Sequence, residues 1–310
     1  MGGHLLNNRQ LIIQALDLIE DRLTTFLPVA VLSKEMGYSL YHFTRLFQAV
    51  TGIAPGDYIA RRKITEAALD IHRMPERSLQ DISLDYNFSN YETFTRAFKR
   101  MLHTTPSLVR KRLTETKLPL LPRLYEQDLL QVLSDSDLSP QLVDFGEIIL
   151  QGPVIRVDHD FSVISDTWPL LFNKVATISD RIQPEKYYQL GFWPDDYESN
   201  GFSIMCACEL SPIKADHNQT FPLQILPPIR YLKFIHKGRS CDIPSTYKYI
   251  YGIWLPKTEY RMSIPFELEY YGELYLGPDN ENSVSEIYIP LEFLQEETML
   301  SSFIDDNRYS

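Results

Sequence analysis

The sequence predicts a multidomain chain of two fold classes, an all-α domain followed by an α+β domain with an antiparallel sheet. The length of 310 residues suits about two domains of ordinary size. Apolar residues recur at helical spacing from Leu5 to about Leu113. Short runs of β-branched and aromatic residues begin at Phe145. The boundary between the two classes therefore falls in the first half of the chain.

The first region, residues 1–113, has the periodicity of amphipathic helices. Leu11, Ala15 and Leu18 illustrate the pattern, in which apolar side chains return every three or four residues. Residues 114–144 lose this periodicity and contain prolines, so we expect them to form a connector.

The last region, residues 145–310, has the pattern of strands separated by Pro, Gly, Asp and Asn. Stretches of helical character interrupt the strands near Thr167–Ile178 and Ser245–Trp254. The predicted strands are Glu147–Leu150, Val154–Val157, Gly201–Glu209, Tyr231–His236, Phe266–Tyr271 and Ser285–Pro290. Strands and helices mixed in this way are typical of an α+β domain.

A repeat lies inside the helical region. Phe43-Thr44-Arg45-Leu46-Phe47 returns 51 residues later as Phe94-Thr95-Arg96-Ala97-Phe98. Each copy follows a short amphipathic helix and a turn, which predicts two helix-turn-helix units. A long helix over Tyr58–Met74 would hold the two units at a fixed separation.

The turns of the two units have suitable residues. Gly37 in the first turn and Asn87 in the second tolerate left-handed backbone. Ser39 and Ser89 are expected to cap the helices that follow, because a serine hydroxyl accepts a hydrogen bond from a backbone N–H in the first helical turn.

The second helix of each unit has an apolar face and a polar face. Phe43 and Phe47 share one face, as do Phe94 and Phe98, and we expect these faces in the core. The opposite face suits the major groove of DNA, where Arg can contact guanine and Lys can contact phosphate. The candidates for DNA contact are Tyr41, Thr44, Arg45, Gln48, Tyr91, Glu92, Thr95, Arg96 and Lys99. The alternative is a helical bundle with solvated polar residues. Two copies in matching context favour DNA, although Glu92 alone is more typical of a solvated acid.

The charge distribution agrees with a DNA-binding first region. The net charge of −11 by itself argues against a polyanionic partner. However, residues 1–118 carry 16 Lys and Arg against 12 Asp and Glu, and the remainder carries 14 against 29. The basic part of the chain therefore coincides with the repeat.

The first region resembles the AraC/XylS family of bacterial transcription regulators. The matching pieces are residues 32–39, 43–47, 51–55, 58–59, 62–64, 67–68, 81–83, 94–99 and 105–106. Asn87 and His103 depart from the family pattern, which has Gly at both positions. The resemblance implies that two recognition helices enter adjacent major grooves of double-stranded DNA, and that RNA polymerase is a further partner. We expect the first unit to keep the family geometry more closely, and the second to contribute more phosphate contacts.

The last region contains none of the common enzyme motifs: no glycine-rich dinucleotide motif, P-loop, zinc-protease motif or nucleophile elbow. We therefore expect no catalytic residues, and the three cysteines show no metal-ligand spacing. Its aromatic residues and negative charge are typical of a site for an apolar or cationic small molecule. Ordinary core packing explains any single ring as well.

The same region, over about residues 145–295, resembles the gyrase-inhibitor-like (GyrI-like) effector-binding domains. The resemblance rests on residues 231–238, 246–256, 268–271 and 286–291. It implies two βαββ-type repeats around a cleft that binds lipophilic or cationic compounds. It also implies a cleft glutamate at Glu269, with Tyr271, Trp254 and Trp193 as lining candidates. Because alternate strand residues share a face, Glu267 could take the place of Glu269.

Together the two resemblances predict a ligand-responsive transcription regulator that binds DNA and a small-molecule effector, with no metal and no cofactor. We expect it to be cytoplasmic and associated with the nucleoid, because no apolar run is long enough to span a membrane. Two alternatives remain open. One is a sequestering protein or hydrolase tethered to DNA, and the other is a ligand-independent regulator that uses its last domain for assembly.

Overall fold

The computed structural model describes residues 7–111, 118–130, 138–158, 163–194, 197–211 and 221–293. The chain divides into two compact units. The first contains Met1–Met36, Phe43–Leu133 and Ile250–Glu259. The second contains Gly37–His42, Ser134–Tyr249 and Tyr260–Ser310. The multidomain prediction is confirmed, with a helical unit and a unit built on a sheet.

Helices dominate the first unit. They are α1 (Asn8–Asp21), α2 (Val29–Glu35), α3 (Leu40–Thr51), α4 (Pro55–Arg73), α5 (Leu79–Asp85), α6 (Tyr91–Leu102) and α7 (Pro106–Arg110), of which α3 begins in the segment that belongs to the second unit.

Helix α4 is the long helix expected between the repeats. It begins at Pro55, three residues earlier than expected, because proline is favourable in the first turn of a helix. Phe43, Phe47, Phe94 and Phe98 are buried, as the repeat predicted.

A buried ion-pair network holds α4 against α1. The guanidinium of Arg62 is 4% exposed and donates to both carboxylate oxygens of Glu20 at 2.8 Å and to Glu66 at 2.8 Å. Arg62 also donates to the carbonyl of Leu121 at 2.7 Å, and Tyr58 donates to Glu20 at 2.9 Å. Arg62 therefore fixes the segment after α7 as well as the two helices.

The second unit is built on one nine-stranded antiparallel sheet. Its strands are β1 (Gln141–Phe145), β2 (Ile148–Gln151), β3 (Val154–Val157), β4 (Tyr187–Phe192), β5 (Phe202–Leu210), β6 (Leu223–Leu226), β7 (Ile229–Lys237), β8 (Phe266–Tyr271) and β9 (Val284–Phe293). The order is β1-β7-β9-β8-β4-β5-β2-β6, and β3 pairs with β5. Helices α8 (Val163–Phe172), α9 (Tyr197–Asn200) and α10 (Ile243–Tyr249) connect the strands.

The six predicted strands are all present, and two of them have the predicted bounds, Val154–Val157 and Phe266–Tyr271. Three strands were missed. Strands β1 and β6 lie at the two ends of the sheet order, where short strands with one neighbour need less apolar sequence. Strand β4 was missed because Gln189 and Gly191 interrupt its apolar pattern.

The sheet has two differently packed faces. One face carries the cluster that includes Leu190, Phe266 and Leu268. The other face carries Cys206 and Cys208, which are buried in a cluster with Leu171 of α8. Since residues alternate along β8, Glu267 and Glu269 lie on the face opposite to Phe266 and Leu268.

No helix within the described ranges is long and apolar enough to cross a membrane.

We expect Arg62→Met to lower the free energy of unfolding by about 3–5 kcal/mol, because it leaves the buried Glu20 carboxylate and the partly exposed Glu66 carboxylate without their cationic partner. Urea unfolding of the full chain, followed by circular dichroism at the helical band, measures this. Arg61→Met is the matched control, since Arg61 is exposed on the same helix, and should cost less than about 0.5 kcal/mol. Equal losses in the two variants would contradict a structural role for the Arg62 network.

Candidate functional site

The first helix-turn-helix consists of α2, the turn after it and α3. Gly37 has a φ of +75°, in the left-handed region that glycine enters without steric cost. The Ser39 hydroxyl oxygen accepts a hydrogen bond from the backbone N–H of His42 at 3.3 Å, which confirms Ser39 as a cap of α3.

The second helix-turn-helix, α5 to α6, has left-handed backbone at the two positions where the first has glycine. Asn87 has a φ of +61° and His103 a φ of +57°, close to the +75° of Gly37 and the +79° of Gly52. The prediction that Ser89 caps α6 is wrong: the Asn90 side chain accepts from the Thr93 N–H at 2.8 Å. Asn90 lies 51 residues after Ser39, whereas Asn87 lies 50 after Gly37. The second turn is therefore one residue longer, and this moves the cap from Ser89 to Asn90.

The polar face of α6 is open. Glu92, Arg96 and Lys99 are exposed, and so is Arg100 beside them. Tyr91 is half-buried, with its hydroxyl 3.5 Å from that of Ser107. Two basic side chains one turn apart can therefore reach a phosphate or a base edge.

The corresponding face of α3 is engaged with other residues. Tyr41 and Arg45 are half-buried, whereas Gln48 is exposed. Within the second unit, the Tyr41 ring stacks on Trp193 with 3.8 Å between ring centres. Within the first unit, the Arg45 guanidinium lies 4.1 Å from the ring centre of Tyr251.

Thr44 and Thr95 occupy the same position in the two recognition helices. Both residues are half-buried. The hydroxyl oxygen of each is buried and lacks a hydrogen-bond partner among the described residues. Neither hydroxyl oxygen is exposed to solvent in this conformation.

Two buried carboxylates lie on one face of β8. Glu267 is 3% exposed and Glu269 is 8% exposed. Glu269 accepts hydrogen bonds from the hydroxyls of Tyr271 at 2.6 Å and Tyr247 at 3.0 Å, and from the Gln189 amide at 3.1 Å. The sequence left open which of the two glutamates faces the predicted cleft, and in the structure both lie on one face of β8.

Glu267 is bound by residues from the start of α3. The Tyr41 hydroxyl donates to Glu267 at 3.3 Å, and the His42 Nδ1 lies 3.9 Å from the other oxygen. The His42 Nε2 is 3.0 Å from the carbonyl of Ile264. The segment Gly37–His42 therefore contacts the same face of the sheet as the candidate ligand-binding residues.

Two titratable groups beside Glu269, Tyr271 and Cys206, have raised pKa values. Burial, followed by the charge of Glu269 and the hydrogen bond to it, holds the pKa of Tyr271 well above its usual value. Burial and the charge of Glu269 also raise the pKa of the Cys206 thiol. Tyr271 is therefore a hydrogen-bond donor to Glu269, and Cys206 is a buried neutral thiol that packs in the sheet.

Trp193 covers the sheet beside Glu267. Gly191 pairs with Glu267 in the register of β4 and β8, and a Cβ at Gly191 would lie 2.3 Å from the Trp193 ring. Trp193 also stacks on Phe202, with 5.3 Å between ring centres. The absence of a Cβ at Gly191 is therefore what leaves room for the indole beside the strand.

The four candidate ligand-binding residues divide between the units. Glu269, Tyr271 and Trp193 lie in the second unit, and the first two are hydrogen-bonded. Trp254 ends the π-helical turn Ile250–Trp254, which belongs to the first unit. The sequence prediction missed Tyr247 and Gln189, although strand alternation would have identified Gln189 had β4 been recognised. Across the described ranges, no group of three or more His, Cys, Asp or Glu side chains could hold a metal ion.

Comparison with known proteins gives a match for each unit. Residues 32–112 match a family described as a helix-turn-helix domain, and residues 152–292 match the GyrI-like small molecule binding domain. Regulatory protein SoxS of Salmonella typhimurium is 33% identical over 108 residues, which cover 35% of this chain and 100% of SoxS. The Right origin-binding protein of Escherichia coli is 39% identical over 93 residues, which cover 30% of this chain and 32% of that protein. The match thus spans about a third of the length of the latter relative.

These matches define a chain that joins a helix-turn-helix domain to a GyrI-like small molecule binding domain. The chain belongs to the AraC/XylS family of transcription regulators.

We expect His103→Gly to raise the free energy of unfolding by about 1 kcal/mol, because left-handed backbone is strained for a residue with a side chain. The reciprocal change at the matching position, Gly52→Ala, should lower it by a similar amount. Chemical denaturation of both variants measures this pair. A lower stability of His103→Gly would contradict strain at His103, because it would mean that the His103 side chain stabilises the fold.

Proposed function

We propose that this protein is a sequence-specific transcription regulator that reads double-stranded DNA with α3 and α6. The observation that carries the proposal is the open basic face of α6 in the second helix-turn-helix. Arg96 and Lys99 project from it, three residues apart, beside Arg100. Arginine recognises guanine through two parallel hydrogen bonds, and lysine binds phosphate as a point charge. The exposed Glu92 is suited to accept from a cytosine amino group.

On α3, the proposed contacts are Tyr41, Thr44, Arg45 and Gln48. Helices α3 and α6 are the equivalent helices of the two copies of the repeat. They would therefore read two DNA boxes about one helical turn apart. Selection of bound sequences from a random duplex library tests this directly. Two such boxes would support readout by both units, and a single box would restrict it to one helix.

We further propose that the face of the sheet with Glu267 and Glu269 binds a small-molecule effector, aromatic or cationic in character. Two carboxylates held under 10% exposure attract a positive charge strongly, because little water is present to screen them. Trp193 and Tyr271 supply aromatic surface next to them. The donors to Glu269 named above are neutral hydroxyl and amide groups, so a cation would add an ionic interaction that they do not supply.

We also propose that the regulator acts in the bacterial cytoplasm, on the nucleoid, and contacts RNA polymerase. The support for this is the family, whose matched relatives are regulatory proteins. The same relatives favour a regulator over an enzyme.

We expect Arg96→Ala to weaken binding to the selected duplex by about 1–3 kcal/mol and to relax specificity at one base position. Lys99→Ala should instead weaken binding to all sequences alike. It should also reduce the slope of log affinity against log salt concentration by about one. Fluorescence anisotropy at several salt concentrations separates the two effects. Arg156→Ala, at an exposed arginine of β3, is the control and should leave DNA affinity unchanged. Base readout by Arg96 is rejected if its variant behaves like this control.

For the effector site, we expect tetraphenylphosphonium to bind and the anion tetraphenylborate, of nearly the same size and shape, to bind at least about tenfold more weakly. Glu269→Gln, which removes the charge and keeps the size of the side chain and one acceptor oxygen, should reduce affinity for the cation by about tenfold or more. Isothermal titration calorimetry measures both. Glu286→Gln on the opposite face of β9 is the matched control, since Glu286 pairs with Lys233. Equal binding of the two ions would contradict a site for cations.

A further inference from the structure

The Tyr41 side chain is held in the second unit as a small aromatic ligand would be. Its ring lies parallel to the Trp193 indole, with 3.8 Å between centres and 11° between planes. Tyr197 meets it edge-on at 5.9 Å and 81°. Its hydroxyl donates to the buried Glu267 at 3.3 Å. A stacking face, a perpendicular edge and a carboxylate acceptor together recognise a flat ring with a donor or a positive charge.

We propose that Tyr41 is an internal ligand of the effector site, and that an aromatic effector releases the first recognition helix by displacing it from Trp193. This inference rests on the proposed effector site. It assigns the effector a flat aromatic ring, and it makes docking on Trp193 and DNA readout two competing uses of the Tyr41 side chain.

The competition follows from geometry. One face of the Tyr41 ring is covered by Trp193 and its hydroxyl is bound by Glu267, so neither is free to contact a base edge. Arg45, one turn further along α3, lies over the Tyr251 ring. The equivalents of these two residues on α6, Glu92 and Arg96, are exposed. Only the first recognition helix is therefore held in this way among the described residues.

An aromatic cation is a better occupant than Tyr41. A phenol offers Glu267 a neutral donor, whereas a cation also offsets the charge of the buried carboxylates. The stacking surface is the same for both, because Trp193 is supported from behind by Phe202 at 5.3 Å. An effector with a ring and a positive charge thus gains the contacts of Tyr41 and an ionic contact as well.

The first test uses DNA without any effector. Trp193→Ala removes the stacking partner of Tyr41 and should raise affinity for the selected duplex by about fivefold, because a larger fraction of the protein is then competent to bind. Phe172→Ala, at an exposed ring of the same unit, is the control and should leave DNA affinity unchanged. Unchanged or weaker DNA binding by Trp193→Ala overturns the proposal.

The second test measures tetraphenylphosphonium binding to the full chain. If Tyr41 competes with the effector, Tyr41→Ala should bind the cation about fivefold more tightly, and Tyr125→Ala, at an exposed tyrosine of the first unit, should match the native chain. If Tyr41 is instead part of the wall that holds the effector, Tyr41→Ala binds more weakly, and the proposal is wrong. Absence of binding in both proteins contradicts the proposed effector class, and the DNA measurement then still decides the role of Tyr41.

Discussion

The arrangement of the second unit depends on two buried carboxylates placed two residues apart on β8. Burying a carboxylate without partners is costly, so each must receive hydrogen bonds or a positive charge. Strand alternation puts both carboxylates on one face of β8. Tyr271, on the same strand, donates to Glu269. The other donors come from β4, α10 and the start of α3, through Gln189, Tyr247 and Tyr41. The carboxylates thus draw four elements of the chain to one site.

The helix-turn-helix repeat could be predicted because its determinants are local. Each determinant involves residues only a few positions apart: the aromatic spacing in each recognition helix, and the left-handed residue in each turn. The structure shows both, with the aromatic residues buried and the turn residues at positive φ. Asn87 and His103 keep the left-handed φ that glycine has at the corresponding positions of the first unit. The prediction that Ser89 caps α6 was wrong for a local reason too. The second turn is one residue longer than the first, so a single offset between the two copies could not align both ends of the turn.

Other features could not be predicted because they depend on partners far away in sequence. Arg61-Arg62-Lys63 looks like a uniform basic cluster, but only Arg62 meets Glu20, 42 positions before it, and becomes buried. Tyr41 does lie on the outward face of α3, as the helical period indicated. Periodicity tells which side of a helix a residue occupies, not what covers that side. Trp193 and Glu267, more than 150 and 220 positions later, cover Tyr41 here.

One pair of equivalent positions in the repeat illustrates how residue type determines the partner of a side chain. Tyr41 and Glu92 are equivalent in the repeat, 51 residues apart. Tyrosine brings a ring for Trp193 and a hydroxyl for Glu267, whereas a glutamate in its place would bring a second negative charge, which a buried carboxylate repels. In the second unit of the repeat, Glu92 is exposed instead, on a face of α6 that also carries Arg96 and Lys99. The two copies of the repeat therefore differ at this position: Tyr41 is hydrogen-bonded to a buried carboxylate of the sheet, whereas Glu92 is exposed.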